Sequence, residues 1–283
     1  MYAITGATGQ LGRLVIQALL KTVPPEQIVA LARDPSKATD LSERGVIVRH
    51  FDYDQPDALA PALENIRSLL FISSSALGAR LAQHRAVIKA AEAANVEFVA
   101  YTSLLFATSS SLNMAYEHVV TEGMLRDSGI PHALLRNSFY NEVFLSIAAP
   151  AIQQGVIFGS WGQGRIASAS CADYADAAAV VLTDQDRSTR TYELAGDTAF
   201  TMAEFTAELA RSTGKPIVYK DLPKADYRAE LEREGIPAAF AEIIADNSAG
   251  SAKGALYDNS HTLSRLIGRA TTPIAATISK FLS

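Results

Sequence analysis

Gly6, Gly9 and Gly12 stand three residues apart, directly behind the apolar run Tyr2-Ala3-Ile4-Thr5 and ahead of Arg13–Leu20, whose apolar positions recur with helical period. A strand, a glycine-spaced turn and a helix in that order suit the binding of a dinucleotide's phosphates. Gly6 permits the tight turn, Gly9 lets the backbone approach a pyrophosphate, and Gly12 lets the helix pack close to the strand. The free amides at the helix start, with the helix dipole, then face the anion. The other reading is a glycine-rich turn of structural use only.

The next charged position bears on which dinucleotide. Gln27–Ala32 reads as a second buried strand and ends at Arg33-Asp34-Pro35-Ser36-Lys37. A chain built for NAD places Asp or Glu at that strand end to grip the ribose hydroxyls. Arg33 stands there instead, and a guanidinium suits a 2′-phosphate, with Lys37 as a second cation. Alternatively Arg33 pairs with Asp34 on the surface. NADPH is favoured over NADH.

These groups need elements to carry them. Val46–Asp52 reads as a third strand, and Asp57–Ile66 as a helix with Asp57 as its cap. Ser68–Ile72 is a fourth strand ending in Ser73, Ser74 and Ser75, three small hydroxyl residues that can line a cofactor or form a simple polar turn. A helix over Arg80–Ala94 leads to a fifth strand, Phe98–Ser103, and a sixth follows at His132–Leu135. Apolar strands alternating with helices predict an α/β fold, a Rossmann-like doubly wound parallel sheet with ligands beyond the strands' carboxyl ends. His50, Asp52 and Asp54 alternate along the third strand, but no further ligand cluster supports a metal site, and none is expected.

Short-chain dehydrogenases place a Ser after the fifth strand and a Tyr-x-x-x-Lys on the following helix, where the lysine tunes the tyrosine for proton transfer. Ser103 and Tyr116 fit, but Val120 occupies the lysine position. Tyr116 is therefore read as a surface or rim tyrosine and His118 as a plain polar residue. Past the sixth strand comes Arg136-Asn137-Ser138-Phe139-Tyr140-Asn141-Glu142. Asn137 could bond a carboxamide, and Phe139, Tyr140 and Phe144 offer flat apolar faces for a planar substrate; packing of a loop against the core is the alternative. No catalytic residue is assigned; Asn137, Phe139 and Tyr140 are the substrate-side candidates.

Further on, Gly155–Gly159 and Gly164–Ala169 read as short strands around a turn containing Trp161, and Arg165 approaches an anionic ligand or forms a salt bridge. Asp173–Leu182 is an alanine-rich helix, and a strand from Thr191 and a Thr201-capped helix follow. Lys220–Glu234 reads as a solvated helix face, and Asn247–Gly254 as a small-residue linker or loop. The expected division is a dinucleotide-binding domain over 1–195, with 143–170 contributing to a substrate cleft, and a smaller C-terminal α+β substrate lobe over 196–283.

Several runs together carry a resemblance: Ala3–Gly12 with its G-x-x-G-x-x-G spacing, Leu70–Ser75, Ala100–Leu105, Leu134–Asn137, Tyr192–Asp197, Ala252–Gly254 and Leu263–Gly268. The chain resembles the bacterial NADPH-dependent quinone oxidoreductases of the atypical, NmrA-like short-chain dehydrogenases almost from end to end. The resemblance implies a flavin-free reductase that hands hydride from NADPH to a quinone, and it agrees with the missing Tyr-Lys pair. Reduction of planar dyes, or NADP sensing by a regulatory protein, are the alternatives in the same family. Residues and resemblance together place the cofactor on Gly6, Ala7, Thr8, Gly9, Gln10, Leu11, Arg33, Ser73, Ser74, Ser75, Asn137, Ser138, Phe139, Tyr140, Asn141 and Glu142.

The bulk composition agrees. Of 283 residues, 48% are hydrophobic and 19% charged, ordinary for a globular chain long enough to bury a large core. A net charge of −5 gives no basic surface for nucleic acid. Cys171 is the single cysteine, which rules out an internal disulfide. The glycine turn begins too near Met1 for a signal peptide, and no apolar run reaches the roughly 18 residues of a membrane span. A cytoplasmic protein is expected.

Overall fold

The structure, a computed structural model, describes residues 1–76 and 78–283. The chain runs through β1 (Tyr2–Ile4), α1 (Gln10–Leu19), β2 (Ile28–Ala32), α2 (Thr39–Glu43), β3 (Ile47–His50), α3 (Pro56–Ala62) and β4 (Ser68–Phe71). It continues with α4 (Arg80–Ala93), β5 (Phe98–Leu104), α5 (Ala115–Ser128), β6 (His132–Asn137), α6 (Asn141–Gln154), β7 (Val156–Gly159) and α7 (Cys171–Thr183). It ends with β8 (Arg190–Leu194), α8 (Met202–Thr213), β9 (Val218–Asp221), α9 (Lys224–Arg233), α10 (Ala238–Ser251), α11 (Thr262–Ile267) and α12 (Ile274–Leu282). Two compact units result. The first comprises Met1–Leu104, Tyr116–Asn137 and Cys171–Tyr192, the second Leu105–Ala115, Ser138–Ser170 and Glu193–Ser283.

The first unit is built on a seven-stranded sheet in the order β3-β2-β1-β4-β5-β6-β8, the doubly wound α/β architecture expected from the alternating pattern. Every pairing from β3 to β6 is parallel. β2, β4 and β5 are buried along their whole length, as strands covered by helices on both faces must be. On one face Leu69, Phe71, Val87, Val99, Tyr101 and Leu125 join in a single core. α7 lies against α1, and its buried Ala175, Ala177 and Ala178 allow the close approach. The strand order reverses between β1 and β4, which opens a crevice at their carboxyl ends.

The second unit pairs β7 with β9 in a two-stranded parallel sheet and surrounds it with helices. Phe144, Trp161, Phe200 and Phe205 form an aromatic cluster, with Phe144 5.4 Å from Phe200 and 5.8 Å from Trp161. α8 begins at Thr201 as expected, in a capping box closed by Glu204. Among the described residues no helix is long and apolar enough to cross a membrane.

Several local expectations are corrected. Asp57 does not cap α3: Gln55 holds the cap, Pro56 opens the helix, and Asp57 sits in its first turn. The Gly164–Ala169 segment forms no strand. Its amides go singly to different partners, Ile166 to Phe200 and Ala167 to Leu256, so no ladder forms. The charged stretch from Lys220 divides into the end of β9 and α9, separated at Pro223, which caps the helix. Asn247–Gly254 is no linker: α10 runs through to Ser251, with Ser248 and Ser251 fully buried. Small residues there serve close packing, since a Cβ on Gly250 would stand 2.6 Å from Leu112 Cδ2. His118 is more than a plain polar residue. It is buried, and its Nδ1 shares a hydrogen bond with the Tyr101 hydroxyl at 2.9 Å.

A second buried imidazole, His84, lies within 5.7 Å of the Tyr101 ring. Burial pushes the His84 pKa down to about 3, helped by the charges of Arg80 and His118, and pushes that of His118 down to about 4, helped by Arg80. Both rings are neutral in the fold, whereas the unfolded chain protonates histidine near pH ~6.5. Stability is therefore fully present above that pH and is lost on acidification, by up to about 1.4 kcal/mol per histidine per pH unit. Urea unfolding should give a free energy that falls between pH 6 and 5, with a shallower fall in His118→Gln. A free energy that is flat down to pH 5 would overturn this account.

Candidate functional site

The glycine turn has the geometry of an anion cradle. Gly6 adopts a left-handed conformation at φ +58°, and the Gly9 amide donates to Gly6 O at 2.9 Å. α1 starts at Gln10, so the amides of Gln10, Leu11 and Gly12 have no acceptor within the helix. No acidic residue occupies the first turn, which leaves the positive end of the dipole to a ligand. Gly12 makes this packing possible: a Cβ there would lie 2.4 Å from Gly6 O and 2.8 Å from Ala7 Cα. At Gly9 it would meet Gly6 O at 3.2 Å.

From this turn a cleft of about 640 Å³ extends along the carboxyl ends of β1 to β4. Gly6, Thr8, Arg33, Lys37 and Ser73–Ala76 line it, together with Asp34, Asp52, Asp54 and Gln83. Arg33 makes no ion pair among the described residues. The surface pairing with Asp34 is absent because the Asp34 carboxylate turns to Ser36, accepting from its amide at 3.1 Å and its hydroxyl at 2.6 Å. Arg13 braces the loop from the outside, donating to Lys37 O at 2.5 Å and to Asp40 at 2.6 Å. Arg33 and Lys37 thus line the cleft on a fixed loop, Lys37 with its ammonium 4.0 Å from Asp34 Oδ2. Asp52 and Asp54 are engaged locally, Asp54 with the Gln83 amide at 2.8 Å. Among the described residues no three His, Cys, Asp or Glu side chains gather around a metal position.

The three serines differ from one another. Ser73 donates its amide to Thr102 Oγ1 at 2.9 Å. Every polar group of Ser74 is engaged: its amide with His84 Nε2, its carbonyl with Arg80 Nε, and its hydroxyl with Gln83 Oε1 and the Ala76 amide. The hydroxyls of Ser73 and Ser75 form no hydrogen bond among the described residues and remain for a ligand.

At the ends of β5 and β6 the Ser-Tyr machinery is not assembled. Tyr116 is 69% exposed, while the buried Ser103 donates its hydroxyl to Glu122 at 2.6 Å. Glu122, 1% exposed, is held at both oxygens by Arg136 at 2.9 and 2.7 Å. This Ser103–Glu122–Arg136 cluster, like the His84–Tyr101–His118 group, was missed in the sequence because its members lie on three separate elements. Asn137, opposite Leu104 in the sheet register, is buried with no partner for Oδ1. A buried carbonyl oxygen without a donor costs about 1–3 kcal/mol, so this atom is suited to receive a ligand's N–H.

The residues that follow belong to the second unit. Ser138 and Asn141 are buried and bonded within it, Ser138 through its amide to Leu194 O at 2.8 Å. The Asn141 side chain reaches Thr272, Thr277 and Ser168. Tyr140 caps α6, and Glu142 stands in its first turn. Phe139 borders an apolar cavity of about 340 Å³ with Val143, Phe144, Ile147, Trp161, Leu231 and Ile244. Asn247 is at the wall, its Oδ1 buried and unpartnered. Arg165 forms no salt bridge among the described residues; it donates to Ala199 O at 2.8 Å and lies 5.9 Å from the Tyr257 ring centre.

A parallel sheet in this order with a phosphate turn at its first crossover defines a dinucleotide-binding Rossmann-like protein. The NmrA-like family pattern matches residues 2–271, and the chain belongs to that family. It is 50% identical over 279 residues to Quinone oxidoreductase 2 of Escherichia coli K12, covering 99% of this chain and 98% of that protein. The crystal structure of the E. coli NADPH-dependent quinone oxidoreductase complexed with NADPH superposes with a TM-score of 0.98 over 100% of both chains. The Citrobacter sp. triphenylmethane reductase complexed with NADP(H) is 38% identical, with a TM-score of 0.93 over 99% of both.

Two glycine substitutions separate the turn from ordinary helix chemistry. Gly12→Ala should lower stability by about 1–3 kcal/mol, the scale of overpacking against an unyielding backbone. Gly123→Ala, inside α5 with nothing within 4 Å of the new methyl, should raise it by about 0.5–1 kcal/mol. Chemical denaturation of both variants checks the contrast.

Proposed function

We propose that this chain is an NADPH-dependent quinone reductase that works without flavin. The carrying observation is its likeness over the whole length to Quinone oxidoreductase 2, and the site residues fit the cofactor. The start of α1 takes the pyrophosphate, on the amides of Gln10, Leu11 and Gly12, where the close packing of Gly12 on the turn seats it. Arg33, with no carboxylate partner, and Lys37 take the 2′-phosphate. Ser73 and Ser75 offer hydroxyls along the cleft wall, and Asn137 Oδ1 accepts from the carboxamide.

NADPH, when bound, supplies a hydride, and with one proton from solution this converts a quinone to a hydroquinone. An acceptor that gains aromaticity needs little proton catalysis from the protein, which accounts for a chain without the Tyr-Lys pair. Orientation and exclusion of water are what the protein has to provide. On the acceptor side, Phe139 and Tyr140 would offer flat faces to the ring. The apolar cavity behind Phe139 suits a planar ring, and Asn247 Oδ1 can receive a hydroxyl.

Oxidation of NADPH by a panel of quinones and triphenylmethane dyes, with flavin-free protein, tests the reading. With NADPH deuterated on one face of C4, deuterium should leave stereospecifically. Tight NADPH binding without turnover of any quinone or dye would mark a sensor instead. Arg33→Asp should weaken NADPH binding by roughly 1.5–3 kcal/mol, the scale of a charged hydrogen bond, and NADH binding far less; titration of both cofactors measures the difference.

A further inference from the structure

Ser74 is held on all sides by three residues from the first two turns of α4: Arg80, Gln83 and His84. The contact with His84 carries the most information, because it fixes where a proton lies. The Ser74 N–H donates to His84 Nε2 at 2.9 Å, so Nε2 is bare. The ring is neutral, and its proton is therefore on Nδ1, from which it is donated to Thr121 Oγ1 at 2.8 Å. The Thr121 hydroxyl in turn donates to Glu117 O at 2.8 Å, which leaves its lone pairs facing the ring. A relay of three bonds thus runs from a backbone carbonyl of α5 to the loop behind β4. Phe71 packs edge-on against the imidazole at 4.8 Å between ring centres, and no solvent reaches it.

We infer that His84, held as its Nδ1–H tautomer by Thr121, positions the Ser73–Ala76 wall of the cofactor cleft and thereby sets affinity for NADPH. His84 itself does not line the cleft; it acts through Ser74. With the Ser74 amide, carbonyl and hydroxyl all tied to α4, the backbone of the loop cannot turn inward. The hydroxyls of Ser73 and Ser75 are left as the groups that address the ligand. This inference rests on the NADPH reading for its binding measurement only.

The test uses the full chain and three variants. Nitrogen-15 NMR of the wild type should find His84 protonated at Nδ1, the less common neutral form. His84→Leu should speed amide exchange across 72–76 and raise the NADPH Kd roughly tenfold or more, the scale of one buried hydrogen bond lost. Its kcat with a quinone at saturating NADPH should change by less than about threefold, since only cofactor binding is affected. His84→Gln restores an acceptor where Nε2 lies and should recover both exchange and Kd. Thr121→Val, a change of one atom remote from the cleft, keeps the question open to measurement should the leucine variant not fold. It leaves the Nδ1–H without its acceptor, so the ring is held less firmly, and it should weaken NADPH in the same direction. An Nε2–H ring in the wild type, or a folded His84→Leu with unchanged Kd and exchange, overturns the inference alone. Failure of the wild type to bind NADPH overturns the cofactor reading and the inference together.

Discussion

The carboxyl edge of the sheet depends on one contact between backbones. Gly12 Cα rests against Gly6 O and Ala7, closer than any side chain permits, and this seats the N-terminus of α1 directly over the end of β1. A helix start with unpaired amides is a weak charge in water, but it becomes an anion site when fixed at the mouth of a crevice. The other cleft features are arranged about that point. β2 carries Arg33 to one side and β4 carries the serines to the other, because these strands are the two neighbours of β1.

Around this frame the chain spends its buried polar groups on holding loops still. Thr5 Oγ1 takes the Ile72 amide, Thr102 Oγ1 takes that of Ser73, and His84 takes that of Ser74. Three successive amides past β4 thus end on side chains of β1's turn, β5 and α4, where a longer strand would have ended them on a neighbour. Leaving them unpaired would be costly in a buried place. Pairing them with side chains stops the strand and opens room for a ligand.

The Ser103–Glu122–Arg136 cluster likewise commits buried polar groups to structure. Ser103 stands where a catalytic serine would be sought, yet its hydroxyl is spent on a buried carboxylate that Arg136 already neutralises. Tyr116 points to solvent. Ser103 instead helps lock β5 to α5 and β6 through Glu122. What remains for reactivity is orientation of the two reactants, and a hydride acceptor that becomes aromatic asks for little more.

Much of the first unit was legible in the sequence because its signals are local. Buried parallel strands read as apolar runs, glycines at fixed spacing announce a turn, and Arg33 declares itself by standing where an acid was expected. Thr201 and Glu204 reveal a helix start for the same reason, since a capping box spans only four residues. Asn247–Gly254 misled because small polar residues look alike in a loop and in a tightly packed helix, and only the proximity of Leu112 distinguishes the two. The proton on His84 Nδ1, the buried pair at Glu122 and the bare oxygen of Asn137 could not be read at all. Each is a relation among residues distant along the chain, and the low dielectric that gives it force exists only once tertiary packing has removed the water.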